Sequence, residues 1–219
     1  MVDQKQRFTE IFNKNLFRVG VPNLPLDGSI SGGGSDLTIS TEVIRKILPK
    51  LLEKLNIKKM LDAPCGDFNW MKEVDLSSIE YVGVDIVEQI IDNNQKKYTK
   101  SNIKFMNRNI IEDVLPTVDL IFCRDCLVHL SYSDIFKVLN NFKKSQSTYL
   151  LSTTFPYYEY NNKELDYKEI WRALNLEKAP FSFSKASQYI IEEINYNTPF
   201  HEKALGLWCL NQLQFKEKN

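Results

Sequence analysis

A chain of 219 residues with 43% hydrophobic and 12% aromatic residues can bury a sizeable core, which excludes intrinsic disorder as its main state. The 28 basic side chains balance the 28 acidic ones, so the basic excess needed to bind nucleic acid by charge alone is absent. No run of apolar residues is long enough to span a membrane, and the first residues lack the apolar stretch of a signal peptide. We therefore expect a cytoplasmic protein with one structural domain and no nucleic-acid or membrane partner.

The first 56 residues are predicted to form a helical, glycine-rich cap on a domain that covers residues 57–219. Apolar residues at helical spacing from Phe8 to Leu16 predict a short helix. Four of the eight glycines then fall in the Gly28–Ser35 segment. A second helix is predicted to follow, capped at its start by the hydroxyl of Ser40 or Thr41.

From residue 58 onward, short apolar runs alternate with helical patterns, which is typical of a parallel sheet covered by helices on both faces. Five strands are predicted in this alternation, and two more form a terminal hairpin. The predicted strands are Lys59–Ala63, Tyr81–Asp85, Ile103–Met106, Asp119–Cys123, Ser147–Ser152, Tyr189–Ile194 and Ala204–Leu210. The helix after the fourth strand is predicted to be capped near Ser131 or Ser133. The alternation of strands and helices stops at residues 155–188, which are interpreted as an insertion.

Because open α/β sheets bind ligands at the carboxyl ends of their strands, the segments after the strands carry the candidate site residues. The segment Asp62–Phe68 has a single glycine, Gly66, whereas a dinucleotide requires a glycine-rich turn for its pyrophosphate. Pro64 lacks an amide donor as well, so this loop disfavours a diphosphate. Asp85, at the end of the second strand, suits a carboxylate that accepts both hydroxyls of a ribose. The alternative is that Asp62 and Asp85 only cap helices.

The chain from about residue 57 to 155 resembles the class I methyltransferases that use S-adenosylmethionine (SAM). Residues 61–68 are similar to the family's first motif, an acid before a glycine-bearing loop, and residues 84–86 are similar to its ribose-binding second motif. Asn109 occupies the adenine-contacting position, where Asp is usual. The terminal hairpin resembles the family's antiparallel seventh strand. The resemblance implies an α/β, Rossmann-like fold with a mostly parallel seven-stranded sheet, and SAM as the cofactor.

The same resemblance implies a set of donor-binding residues. They are Asp62, Ala63, Pro64, Gly66, Phe68, Asp85, Ile86, Asn109, Ile110 and Arg124. Two interpretations of the Gly28–Ser35 segment stay open: it is a disordered linker, or its backbone amides close over the carboxylate of the donor.

Residues 124–130 resemble the family segment beside the transferable methyl group. Asp125 and His129 are the candidate general bases for a hydroxyl or charged-amine acceptor, and Arg124 is available to pair with an anionic acceptor. The alternative for His129 is a structural histidine bound to the backbone. His201 has less support from the motifs.

Aromatic residues are frequent in the insertion, where this family commonly shapes its acceptor site. Tyr157, Trp171 and Arg172 are the candidate acceptor contacts, and the aromatic residues, which include Tyr167, could equally form a satellite core or a dimer contact.

A C-x-x-C-x-x-H pattern formed by Cys123, Cys126 and His129 invites a zinc interpretation. Zinc needs three or four converging ligands, but Cys123 ends an apolar strand and no second cluster completes the set. We therefore expect no metal.

A narrower similarity, to small bacterial methyltransferases associated with surface-polysaccharide synthesis, is carried by residues 62–71, 123–130 and 171–181. The predicted function is SAM-dependent methyl transfer to a small polar acceptor, sugar-linked or phosphorylated, including O-methylation in capsule biosynthesis. A non-catalytic SAM-binding or scaffolding subunit and a dinucleotide-dependent reductase are the alternatives. Neither the acceptor nor the oligomeric state follows from the sequence.

Overall fold

The computed structural model describes residues 3–19, 28–158, 160–166, 169–194 and 202–215. Its helices are α1 (Gln4–Asn13), α2 (Ile39–Lys54), α3 (Glu88–Tyr98) and α4 (Tyr132–Lys144). Its strands are β1 (Lys59–Asp62), β2 (Glu80–Asp85), β3 (Ile103–Asn107), β4 (Leu120–Cys123), β5 (Tyr149–Thr154), β6 (Gln188–Ile194) and β7 (Glu202–Cys209). None of the described helices is both long and apolar enough to cross a lipid bilayer.

The seven strands form one mixed sheet in the order β3-β2-β1-β4-β5-β7-β6. β2 pairs in parallel with β1 and β3, and β4 pairs in parallel with β5. β7 runs antiparallel to both β5 and β6. All seven predicted strands are confirmed, including the antiparallel terminal hairpin, with ends that shift by one or two residues.

The chain divides into two compact units, residues 1–110 and residues 111–219. The predicted boundary at residue 56 lies inside the first unit. There, α2 buries Ile44, Leu48 and Leu51 on its apolar face. The prediction that Ser40 or Thr41 caps α2 was wrong, because the helix already begins at Ile39. The hydroxyl of Thr41 instead donates to the carbonyl of Asp36, in the segment that leads into the helix (2.7 Å).

In the second unit, α4 packs an apolar stripe that includes Ile135, Val138 and Phe142 into the core. Its start is capped by Ser131, whose hydroxyl accepts from the N–H of Asp134 at 3.2 Å, as the sequence predicted. The described part of the insertion after β5 contains neither a helix nor a strand. The backbone N–H and C=O groups of such a segment must find hydrogen-bond partners outside regular helices and strands.

Candidate active site

The loop that follows β1, residues 63–69, is termed the donor loop. Gly66 has a φ of +52°, a left-handed conformation that suits glycine. Pro64 has no N–H, and the N–H groups of Cys65, Gly66 and Asp67 donate to Val84 O (2.8 Å), Asp85 Oδ2 (3.2 Å) and Ser31 Oγ (2.9 Å), respectively. The amides at the centre of the loop are therefore already bound to acceptors within the protein.

Asp85 ends β2 and is 6% exposed. Its carboxylate accepts from the N–H of Val87 (2.9 Å) and from the N–H of Gly66 (3.2 Å). Burial raises the pKa of Asp85 to about 6, although the amides of Val87, Gly66 and Ile86 oppose that shift. The carboxylate thus joins the glycine turn to the residue before α3. The helix-cap alternative describes part of its role, since it serves the start of α3 as well as the turn.

Asn107 was not predicted as a site residue, yet it orders the backbone around Asp85. It lies opposite Asp85 in the parallel register of β2 and β3. Its amide Nδ2 donates to the carbonyls of Asp85 (2.9 Å) and Ile86 (3.1 Å). An asparagine directly after the predicted third strand was the signal available in the sequence.

Asp62 is buried at the end of β1, where its carboxylate accepts from the phenol of Tyr81 at 2.6 Å. It does not cap an α-helix, because the residues after it form the donor loop and then a short 3₁₀ helix, Met71–Glu73. The carboxylate of Asp62 therefore belongs to a buried pair with Tyr81, and burial is the main cause that raises the pKa of Tyr81.

Phe68, predicted as a donor contact, has a different environment. With a φ of +58° it turns its ring into the core, where the ring is 3% exposed. It lies 5.2 Å, centroid to centroid, from the rings of Tyr81, Tyr98 and Phe105. The side chain of Phe68 is thus a core residue rather than a ligand contact.

The other predicted donor residues in this unit lie at or beside the strand ends. Ala63 is fully buried and Ile110 is 8% exposed. Pro64, Ile86 and Asn109 are half-buried.

The Gly28–Ser35 segment packs on the donor loop, which argues against a linker, whereas the closure of its amides over the carboxylate of the donor stays a prediction. Asp67 accepts from the hydroxyl of Ser29 (2.9 Å) and from the N–H of Ile30 (2.9 Å). Asp36 in turn accepts from the N–H of Ser29 and pairs with Arg18 (3.1 Å). This segment, residues 28–36, is termed the N-terminal clasp.

In the second unit, four charged residues from three segments form a compact group, termed the charge cluster. Arg124 donates from Nε to Glu192 Oε1 (2.7 Å) and from Nη1 to Asp125 Oδ2 (3.1 Å). Lys203 pairs with Asp125 and lies 3.5 Å from Glu192 Oε2. The side chains of Arg124 and Glu192 are 4% and 0% exposed. Two cations and two carboxylates therefore compensate each other within the protein.

The charge cluster corrects two sequence predictions. Burial alone would raise the pKa of Asp125, but the ammonium of Lys203 and the guanidinium of Arg124 outweigh it and hold that pKa well below its usual range. An acid this strong is a poor general base near neutral pH. Arg124 is not available to an anionic acceptor either, because it is buried against two carboxylates.

Two residues of the charge cluster, Asp125 and Glu192, lie at irregular points of the backbone. Asp125 has a φ of +51°, which is uncommon for a residue with a side chain. Glu192 lies where the pairing of β6 with β7 shifts register between Ile191 and Glu193. Bulges of this kind re-aim side chains and are frequent beside active sites. A sequence read with strict two-residue alternation cannot reveal a bulge, which explains why Glu192 and Lys203 were not predicted.

His129 lies in the 3₁₀ turn Leu127–His129, directly after β4. Its ring nitrogen Nδ1 is hydrogen-bonded to the carbonyl of Ile170 in the insertion. A carbonyl can only accept, so Nδ1 carries a proton, and in the neutral ring the lone pair therefore lies on Nε2. The structure therefore contains the backbone bond expected of a structural histidine. Because this bond uses Nδ1, the basic nitrogen of the neutral ring is Nε2, on the other side.

The candidate acceptor residues fall into two groups. Tyr157 is 57% exposed and Trp171 is 37% exposed, and the Trp171 ring lies 5.9 Å from that of Phe155. Arg172, in contrast, is 2% exposed and donates to the backbone carbonyls of Val128 (2.9 Å) and Leu130 (2.7 Å). The prediction that Arg172 contacts the acceptor is corrected, since its guanidinium is committed to main-chain oxygens. His201 and Tyr167 lie outside the described residues.

The cysteine pattern forms no cluster of metal ligands in the described part of the chain. Cys123 and Cys126 are buried thiols, and His129 is directed to Ile170. Small buried thiols pack as apolar side chains.

Comparison with known proteins gives the fold. The chain is similar to the N-methyltransferase NodS from Bradyrhizobium japonicum WM9 in complex with S-adenosyl-L-homocysteine (SAH), at 11% identity and a TM-score of 0.61, over 94% of this chain and 98% of that one. It is similar to magnesium protoporphyrin IX methyltransferase from Synechocystis PCC 6803 with bound SAM, at 14% identity and a TM-score of 0.58, over 95% and 98% of the two chains. A third similarity is to the Burkholderia thailandensis 1,6-didemethyltoxoflavin-N1-methyltransferase, at 12% identity and a TM-score of 0.62, over 94% and 86%.

No family model and no curated protein sequence matches the chain. The fold is that of the class I SAM-dependent methyltransferases, with their seven-stranded sheet and antiparallel terminal hairpin.

Proposed function

We propose that the chain is a SAM-dependent methyltransferase that acts on a small polar acceptor. The proposal rests mainly on one observation, the buried carboxylate of Asp85. This carboxylate lies at the end of β2 and accepts a hydrogen bond from the glycine turn of the donor loop. The amides of Val87 and Gly66 donate to this carboxylate, and the amide of Ile86 also favours its ionised form. A carboxylate has about four lone-pair directions, and we propose that those left over accept from neighbouring hydroxyls, as on the ribose of SAM.

The donor loop favours a cofactor without phosphate. A pyrophosphate requires unpaired amides that point at the ligand. The amides of Cys65, Gly66 and Asp67 already donate within the protein, and Pro64 has none. Asp62, Asp67 and Asp85 add carboxylates to the same region, which repels an anion and suits a cation. This argues against the dinucleotide-dependent reductase, whereas SAM carries a positive sulfonium and ammonium.

The proposed chemistry assigns a separate task to each group of side chains. SAM, when bound, supplies a methyl group already activated on sulfur, so orientation and exclusion of water can provide much of the acceleration. Asp85 holds the ribose, and His129 accepts the proton of a hydroxyl or charged-amine acceptor at Nε2. Asp125 stays ionised beside Lys203 and Arg124 and stabilises the imidazolium that forms.

The acceptor itself is proposed only as a class. Trp171 and Tyr157 offer exposed rings against which a small acceptor could pack. The narrower proposal is O-methylation of a sugar-linked or phosphorylated acceptor in capsule biosynthesis, and it rests on the similarity of residues 62–71, 123–130 and 171–181 alone. The four free thiols are consistent with a reducing, cytoplasmic compartment. Methyl transfer assayed against sugar, sugar-phosphate and small amine acceptors would separate these classes.

Titration calorimetry with SAM, SAH and NAD tests the proposal. We expect SAM and SAH to bind with one site per chain, and NAD to give no binding heat. Binding of NAD without SAM would overturn the proposal in favour of the reductase. Binding of SAM without turnover on any acceptor would favour the non-catalytic SAM-binding subunit.

A further inference from the structure

The insertion after β5 reaches back to the turn that carries His129. Arg172 is anchored there from two directions: its main-chain N–H donates to Val128 O (3.1 Å), and its guanidinium donates to Val128 O and Leu130 O. Its Nε donates to the carbonyl of Lys163 (2.9 Å), within the insertion itself. The side chain thereby joins the insertion to both sides of His129.

Carbonyl groups at the end of a helical turn lack partners within the turn, and a cation is a favourable partner for them. The planar guanidinium can bind two carbonyls with a fixed geometry, which a lysine cannot reproduce. At 2% exposure, these bonds are also shielded from competition by water. Arg172 therefore restrains the backbone of the turn, and with it the Cα of His129.

The imidazole of His129 is restrained by a second contact from the same segment. Ile170, two residues before Arg172, accepts from Nδ1 and so fixes both the ring orientation and the tautomer. Trp171 lies between these two anchors, with its ring packed edge-on against Phe155. A three-residue segment thus binds the turn, orients the ring and presents an exposed aromatic side chain.

We propose that Arg172, acting with the Ile170 carbonyl, is a positioning residue that holds His129 in the Nδ1–H tautomer with Nε2 as the basic nitrogen. The inference rests on the proposed role of His129 as proton acceptor. It also extends that role, since the segment that displays the candidate acceptor contact Trp171 is the one that orients the base. Other charged groups in this part of the described chain are Asp125, with its partners Lys203 and Arg124, and Glu164, which lies 4.0 Å from the guanidinium of Arg172. Arg172→Lys keeps a positive charge beside Glu164.

The tautomer of His129 can be observed directly by ¹⁵N NMR of the imidazole rings, because the chain has only two histidines. The His129 signals are assigned by their loss in His129→Ala, and spectra are recorded at about pH 8, where an ordinary imidazole is neutral. We expect the wild-type ring to be in the Nδ1–H form. In Arg172→Lys, which keeps the charge but not the planar fork, we expect a mixture of both tautomers and turnover lowered by about 10–100-fold.

The matched control is Lys178→Met. Lys178 also binds backbone carbonyls of the insertion, those of Tyr158 (2.7 Å) and Tyr160 (3.2 Å). We expect this variant to keep the wild-type tautomer. An Nε2–H ring in the wild type would overturn the proposal even if Arg172→Lys fails to fold, and so would an unchanged tautomer in a folded Arg172→Lys. Normal turnover by His129→Ala would instead contradict the proposed role of His129 as proton acceptor, whatever the tautomer, and would leave the methyltransferase proposal standing.

Discussion

The donor loop and the charge cluster satisfy their buried polar groups in different ways. At the donor loop, main-chain amides are bound by the carboxylate of Asp85, which lies at the end of β2, and one of these amides is only 19 residues away in the chain. In the charge cluster, the pairs are formed by side chains that are 68 residues apart for Arg124 and Glu192, and 78 for Asp125 and Lys203. The first region should therefore respond mainly to changes of backbone conformation, and the second to the loss of a single charge.

The largest effect is expected from Arg124→Met, which leaves the buried carboxylate of Glu192 without its strongest partner. Breaking a buried ion pair from one side costs about 3–5 kcal/mol. The free energy of unfolding, measured in urea, should fall by that amount. The double variant Arg124→Met/Glu192→Leu should recover most of the loss, because no uncompensated charge then remains.

An exposed ion pair in the other unit supplies the control for this prediction. Lys59 and Glu80 lie 3.5 Å apart, with side chains that are 55% and 69% exposed. Lys59→Met should cost about 0–1 kcal/mol, as is usual for surface pairs. If Arg124→Met were no more destabilising than Lys59→Met, the charge cluster would not be the buried, compensated group that its geometry indicates.

A smaller effect is expected from Gly66→Ala in the donor loop. The left-handed conformation at this position disfavours a side chain by about 1–2 kcal/mol. An added Cβ would also lie 2.5 Å from Ser31 Oγ and 3.0 Å from Ser31 Cβ in the N-terminal clasp. Urea unfolding should therefore show a loss of about 2 kcal/mol or somewhat more.

Combining Gly66→Ala with Ser31→Gly separates these two causes. Removing the side chain of Ser31 relieves the close contact but leaves the backbone conformation unchanged. The double variant should therefore be less destabilised than the sum of the single variants by about 0.5–1 kcal/mol. Strict additivity would mean that the clasp does not pack on Gly66 as described.

The sequence predicted the donor loop better than the charge cluster, because the partners in the donor loop are closer in the chain than those in the charge cluster. Asp62, Gly66 and Asp85 are placed by short-range patterns: a strand that ends, a glycine turn, and a second strand in parallel register. Glu192 and Lys203 reach the charge cluster only because β6 and β7 form the terminal hairpin and a bulge shifts their register. No local pattern contains that information.

Two predicted roles failed because residue type alone does not reveal the partner. Arg172 and Arg124 have the chemistry to bind an anionic acceptor, but tertiary structure gives them backbone carbonyls and carboxylates as partners instead. Phe68 failed for a conformational reason, since its positive φ directs the ring into the core. The seven strands, in contrast, follow from apolar runs whose length and spacing are properties of the sequence itself.

The ionisation of Asp85 gives a pH signature that the donor-binding proposal must satisfy. A carboxyl whose folded-state pKa is raised contributes stability below its unfolded pKa, and loses that contribution as the pH rises through about 6. The ionised form, however, is the one that accepts two ribose hydroxyls. Donor affinity and the contribution of Asp85 to unliganded stability should therefore change in opposite directions over the same pH range.

The most direct test is the affinity for SAH, measured by calorimetry at about pH 5 and about pH 8 in the wild type and in Asp85→Asn. We predict that the wild type binds about tenfold more weakly at the lower pH, because roughly one tenth of a carboxyl with a pKa of about 6 is then ionised. Asp85→Asn should bind at least about tenfold more weakly at the higher pH, with little further change on acidification. Wild-type affinity in Asp85→Asn, or the same pH dependence in both proteins, would contradict the assignment of Asp85 as the donor-binding carboxylate.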